Sequence, residues 1–149
     1  MKKLIVLLLA LGLVIGGGQP AQAGSPVKTQ VIDVILDDDP TSITGTRKTA
    51  NWERVGFYVD YDETDSGSAI SVAITAEVSH DGTNFITASW FDFAGGSTLQ
   101  TTETLSTDAS YVGWFDFNMQ IPFVKLTITA TGSSATELGD VDGFIVGLR

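Results

Sequence analysis

The chain has 149 residues, with eight Lys and Arg against 18 Asp and Glu, for a formal net charge of −10. That balance disfavours nucleic acid, which is bound through basic patches, and anionic lipid surfaces. Cysteine is absent, which excludes a disulfide scaffold, a thiolate metal site and a cysteine nucleophile.

Lys2 and Lys3 open the chain, and Leu4 to Ile15 run apolar apart from Gly12. Gly16, Gly17, Gly18 and Pro20 then break any helix, and Ala21-Gln22-Ala23 closes the segment with small residues. This is the three-part layout of a secretory signal peptide. The apolar run falls short of the roughly 20 residues that span a bilayer. The expectation is a signal-peptide helix over residues 1–23, cleaved before Gly24, and one secreted domain over 24–149 with no stable membrane span. Cleavage would remove Lys2 and Lys3 and take the net charge from −10 to −12. The alternative is an uncleaved segment that serves as an anchor or as a strand used in assembly. A domain of this length buries about two-thirds of its unfolded surface and needs no covalent staple.

Val27 to Leu36 is the first predicted strand, stopped by Asp37, Asp38, Asp39 and Pro40, which disfavour a ladder. Thr41 to Asn51 reads as a polar loop. Arg54 to Tyr61 is the second strand, with Val55, Phe57, Val59 and Tyr61 on one face. Asp62 to Ser68 reads as an acidic loop. Ala69 to Ser79 alternates most cleanly: Ile70, Val72, Ile74, Ala76 and Val78 face one way and Ser71, Ala73, Thr75 and Glu77 the other. Period two over that length predicts a half-buried antiparallel strand. Asp81-Gly82 then signals a tight hairpin.

Phe85 to Phe93 is read as the returning strand, Gly95-Gly96 as a turn, and Leu99 to Leu105 as a Thr-rich strand. Tyr111 to Phe117 carries aromatics on both faces. Phe123 to Thr131 points Val124, Leu126 and Ile128 inward. Gly132 to Asp142 reads as a loop, and Phe144, Val146 and Leu148 share one face of the last strand. About eight short strands with turn signals predict an all-β fold, a two-sheet antiparallel β-sandwich of jelly-roll or immunoglobulin-like type.

Three acidic clusters invite a cation: Asp37 to Asp39, Asp60 to Asp65, and Asp140 with Asp142. Ca²⁺ takes six to eight hard oxygens, and Asp60, Asp62 and Asp65 are the candidate ligands. The spacing is not that of an EF-hand loop, because Thr64 and Asp65 occupy the fifth and sixth positions. Solvated loop carboxylates are the plainer reading. Catalysis has little to build on. His80 is the only histidine, and its place beside a tight turn lacks the enclosing wall that a triad needs. One His and no Cys leave zinc only carboxylates. A small carboxylate-based hydrolase is the weakest reading.

Trp90-Phe91-Asp92-Phe93 and Trp114-Phe115-Asp116-Phe117 carry rings on both faces of their strands. One face fills the core, and the other is covered or offered to a partner. Trp90, Phe91, Trp114 and Phe115 are therefore candidate contacts for a protein neighbour or a sugar ring. Val31 and Val34, on a first strand that follows a short lead, are candidate contacts if that strand pairs with a neighbour's sheet edge. Pairing at home is the alternative.

The stretch Val78-Ser79-His80-Asp81-Gly82-Thr83-Asn84-Phe85 resembles the hairpin of small β-sandwich virion proteins of tailed phages. The run from Ile121 to Thr129 is similar to a strand of the same group, and Tyr111-Val112-Gly113-Trp114 stands where that group carries an aromatic strand. The resemblance spans roughly residues 28 to 149. It implies a non-enzymatic structural or decoration subunit, virion-borne if it holds. The signal-like N-terminus departs from that pattern, because capsid parts assemble in the cytoplasm, and it shifts weight toward an exported surface or filament subunit. The leading expectation is a secreted, self-assembling subunit, or one that docks on another surface or virion protein. A carbohydrate-binding module is the alternative.

Overall fold

The computed structural model describes residues 25–36, 42–62, 71–93, 98–106, 108–115, 120–131 and 139–148. The expected signal peptide, Asp37 to Asp39, Asp65, Ile70, the Gly95-Gly96 turn and Phe117 lie outside them.

Eleven strands are described: β1 (Pro26–Leu36), β2 (Ser42–Lys48), β3 (Arg54–Asp62), β4 (Ser71–Ser79), β5 (Ile86–Thr87), β6 (Trp90–Asp92), β7 (Leu99–Gln100), β8 (Glu103–Leu105), β9 (Ala109–Phe115), β10 (Phe123–Thr131) and β11 (Gly139–Leu148). They form two antiparallel sheets. One has the order β1-β11-β3-β9-β6-β7 and the other β2-β10-β4-β5, with β8 also paired to β4. The first strand thus pairs with the last, β2 with β10, β3 with β9 and β4 with β5. This nested pairing is the jelly-roll arrangement of a sandwich rather than the immunoglobulin one.

Four expectations about the strands are corrected. Residues 42–48 form an edge strand, not a loop, paired along seven positions of β10. The predicted strand from Phe85 to Phe93 is two strands in different sheets. Ala88 donates its backbone N–H to Ala76 O at 2.9 Å, and two residues later Trp90 pairs with Phe115 of the other sheet. The predicted strand from Leu99 to Leu105 crosses back between β7 and β8. At these two crossings the chain passes from one sheet to the other and back. The last strand also starts earlier, at Gly139.

The inner faces follow period two. Val55, Phe57, Val59 and Tyr61 of β3 meet Val72, Ile74 and Ala76 of β4 and Val124, Leu126 and Ile128 of β10, all buried. Phe57 lies edge-on to Trp90, with centroids 5.1 Å apart and planes at 84°, the T-shaped contact that ring quadrupoles favour. On β11 the inward residues are Val141, Gly143, Ile145 and Gly147. Phe144, Val146 and Leu148 face outward and are half-buried.

β1 pairs with β11 from Pro26 to Leu36, with a register shift between Gln30 and Ile32. Val31 sits at that irregularity and leans on β2. A Cβ added at Gly45 would fall 2.4 Å from the Val31 carbonyl oxygen and 2.7 Å from its Cβ. The two sheets therefore approach closely at this edge.

Candidate functional site

Alternation decides which rings are available to a partner. Trp90 and Phe115 point inward and are 0% and 2% exposed. They belong to the core and offer no surface to a neighbour or a sugar. The Trp90 indole N–H donates to the Tyr111 hydroxyl at 3.0 Å, and that hydroxyl donates to Gln100 Oε1 at 3.2 Å. Burial raises the Tyr111 pKa, against a lowering contribution from the Trp90 bond. Phe91 and Trp114 point outward, directly opposite each other across β6 and β9, and are half-buried. Val31 and Val34 are half-buried and pack on the core from β1. In this arrangement β1 is paired at home.

The outer face of the six-stranded sheet becomes the candidate surface. Register places Lys28, Val146, Gly56, Trp114, Phe91 and Leu99 in one row across six strands. Gly56 makes room for the Trp114 ring: a Cβ there would lie 2.8 Å from Trp114 Cε3 and 2.5 Å from the Gly113 carbonyl oxygen. Phe93 rests near Trp114, with centroids 6.5 Å apart and planes at 49°. Phe93 is 70% exposed and Leu99 49% exposed, so this end of the face is apolar and open.

The next rows become polar. Gln30, Phe144, Tyr58 and Val112 are in register. The Lys28 ammonium sits 3.6 Å from the Phe144 ring centroid and 4.6 Å from that of Tyr58, a cation–π arrangement. Beyond them Asp33, Asp142, Asp60 and Ser110 form a row, and Asp140 with Asp62 a further one. Gln30 Nε2 donates to Asp142 Oδ1 at 2.7 Å. The Tyr58 hydroxyl donates to Ser110 Oγ at 3.2 Å, and Ser110 Oγ to Asp60 Oδ1 at 2.6 Å.

Asp60 and Asp62, two of the candidate Ca²⁺ ligands, thus lie on this face, while Asp65 lies outside the described residues. Among the described residues no three acidic or imidazole groups converge enough to hold a metal ion. Local sequence clusters did not reveal that Asp33 joins Asp60 and Asp142, or that Tyr58, Phe144 and Lys28 meet. These groups come from distant parts of the chain, and no sequence signal marks their register.

His80 is exposed on the β4–β5 hairpin. The hairpin is held by Asp81, whose carboxylate accepts the backbone N–H groups of Asn84 and Thr83 at 2.8 Å each, Asn84 Nδ2 at 2.7 Å and Ser79 Oγ at 2.9 Å. The Asn84 and Thr83 bonds lead in holding this carboxyl far below the usual carboxylate range. Gly82 takes φ +78°, a region that favours glycine. Beside the hairpin is an open cleft of about 260 Å³ lined by Val78, His80, Ile86, Ile121 and Pro122 among others, below the usual span for small-molecule pockets.

No protein-family model matches the chain, and no curated protein matches it.

Proposed function

We propose that the chain is a non-enzymatic structural subunit, an exported β-sandwich that self-associates or decorates a surface layer, filament or virion. The observation that carries this reading is the open apolar end of the six-stranded sheet, where exposed Phe93 and Leu99 adjoin half-buried Phe91 and Trp114. Contiguous apolar surface marks a contact site, and aromatic residues are the usual anchors of interfaces. The export half of the reading rests on the layout of residues 1–23. The non-enzymatic half is supported by the placement of the sole histidine on an exposed hairpin.

A glycan could use the same rings. The 49° tilt between Phe93 and Trp114 gives no flat platform for a sugar ring, which favours a protein neighbour. Sedimentation velocity over a range of concentrations tests this. The wild-type protein is expected to gain mass with concentration, and Phe93→Ser with Leu99→Ser is expected to hold it monomeric. Equal behaviour of the two proteins would contradict the assignment of this patch.

A further inference from the structure

We propose that β1 is an exchangeable strand: in the assembled protein it leaves its own sandwich and fills the same slot, between β11 and β2, in a second copy of the chain. This deepens the self-association reading and rests on it, because contact through the apolar patch raises the effective concentration of a neighbour's strand.

The slot is built by other elements and shaped to β1. β11 pairs with β1 from Pro26 to Leu36. Ile32 is 3% exposed, and Val27, Val31 and Val34 pack on the core around it. A Cβ added at Gly143 of β11 would lie 3.0 Å from Ile32 Cβ, and one added at Gly45 of β2 would lie 2.4 Å from the Val31 carbonyl oxygen. Glycine at these two positions leaves the room that β1 occupies. Without a β1 this flank of the core opens to water, at the cost of its buried apolar area.

All of these contacts run between β1 and the rest of the chain. A β1 from a second copy reproduces every one of them, so assembly needs no new interface. Exchange of an identical element is a low-cost route to association, and β1 lies at the edge of its sheet. Simple addition of a further strand there is disfavoured. β1 shifts register between Gln30 and Ile32, and such irregularities guard an edge against pairing.

The connection to β2, residues 37–41, decides which copy supplies the strand. Asp37, Asp38 and Asp39 follow Leu36, whose partner Gly139 adjoins Asp140, and Asp140 stands opposite Asp62. A connection that turns back within one molecule keeps these like charges close together. Asp39 also precedes Pro40, and a residue before proline is biased toward extended backbone. Both effects favour a linker that runs on to a neighbour, and short connections under strain invite exchange.

The chain has no cysteine, so introduced pairs report on strand pairing without background. Asp33→Cys with Asp142→Cys puts thiols on directly opposed residues of β1 and β11, within reach of a disulfide. Lys28→Cys with Val146→Cys is a second such pair, should the first fail to fold. The full-length purified protein is separated by size, oxidised and read on non-reducing gels. The monomer fraction is expected to close its disulfide within one chain, and most disulfides of the assembled fraction are expected to join two chains. Asp37→Asn, Asp38→Asn and Asp39→Asn with Pro40→Ala should lower that intermolecular share several-fold. Assembled protein that carries only intramolecular disulfides would overturn the exchange and leave the apolar patch as the joint. Intermolecular disulfides that persist in a Phe93→Ser/Leu99→Ser background would keep the exchange and remove the patch.

Discussion

Asp142 of β11 and Asp60 of β3 stand directly opposite each other on the outer face of the six-stranded sheet, with Asp33 of β1 continuing the row. Each is held by a neutral donor, Gln30 for Asp142 and Ser110 for Asp60. Those bonds orient the carboxylates but leave their mutual repulsion in place.

Salt should therefore stabilise the fold. Between about 0.01 M and 1 M ionic strength the screening length falls from roughly 30 to 3 Å, and thermal unfolding should move upward. Asp140→Asn, which removes the charge opposite Asp62, should add a few tenths of a kcal/mol at low salt and less at high salt. A fall in stability would mean that these carboxylates are compensated.

Trp90 should behave as a core residue. It is fully buried against Phe57 and bonded to Tyr111. Trp90→Ala should cost about 3–5 kcal/mol in denaturant unfolding. Phe93→Ser, at an exposed ring, should change stability by less than about 0.5 kcal/mol. Similar costs for the two would contradict the assignment of faces.

Gly56→Ala tests the seat of Trp114. The added Cβ meets both the Gly113 carbonyl and the indole ring, so the change should cost about 1–3 kcal/mol. The near-ultraviolet circular dichroism should change with it as Trp114 is displaced. An unaltered spectrum and stability would place the ring elsewhere.

The β4–β5 hairpin should be sensitive to acid. The Asp81 pKa is depressed in the folded state, so its contribution is fully present above the unfolded value of about 3.9 and is lost as pH falls below that. Hydrogen exchange at Thr83 and Asn84 should quicken on acidification once intrinsic rates are allowed for. Asp81→Asn should exchange fast at every pH. Protection independent of pH in the wild type would show that the carboxylate does not hold the turn.

The sequence made the two-sheet class and much of the core legible, because the alternation around Phe57, Ile74 and Leu126 is a local signal. Strand β2 was hidden: Gly45 and Arg47 interrupt its inner face, and Ser42, Thr44 and Thr46 read as loop residues. The crossing at Ala88–Ser89 was hidden because leaving one sheet for the other there does not alter the alternation of side chains. Between β7 and β8 the alternation does break, with Leu99 exposed and Leu105 buried, and the polar residues between them do not mark the break. The ring-bearing strands were found, but whether Trp90 or Phe91 faces the core depends on the strand alongside. The acidic row was illegible for the same reason. Asp33, Asp60 and Asp142 meet only through the register of β1, β11 and β3, which nothing local encodes.

The most direct measurement is the size and form of the purified protein, by light scattering with negative-stain microscopy, beside the Phe93→Ser/Leu99→Ser variant. The account predicts ordered multimers, filaments or sheets for the wild type and monomers for the variant. A wild-type protein that stays monomeric at every concentration would contradict the proposed self-assembly.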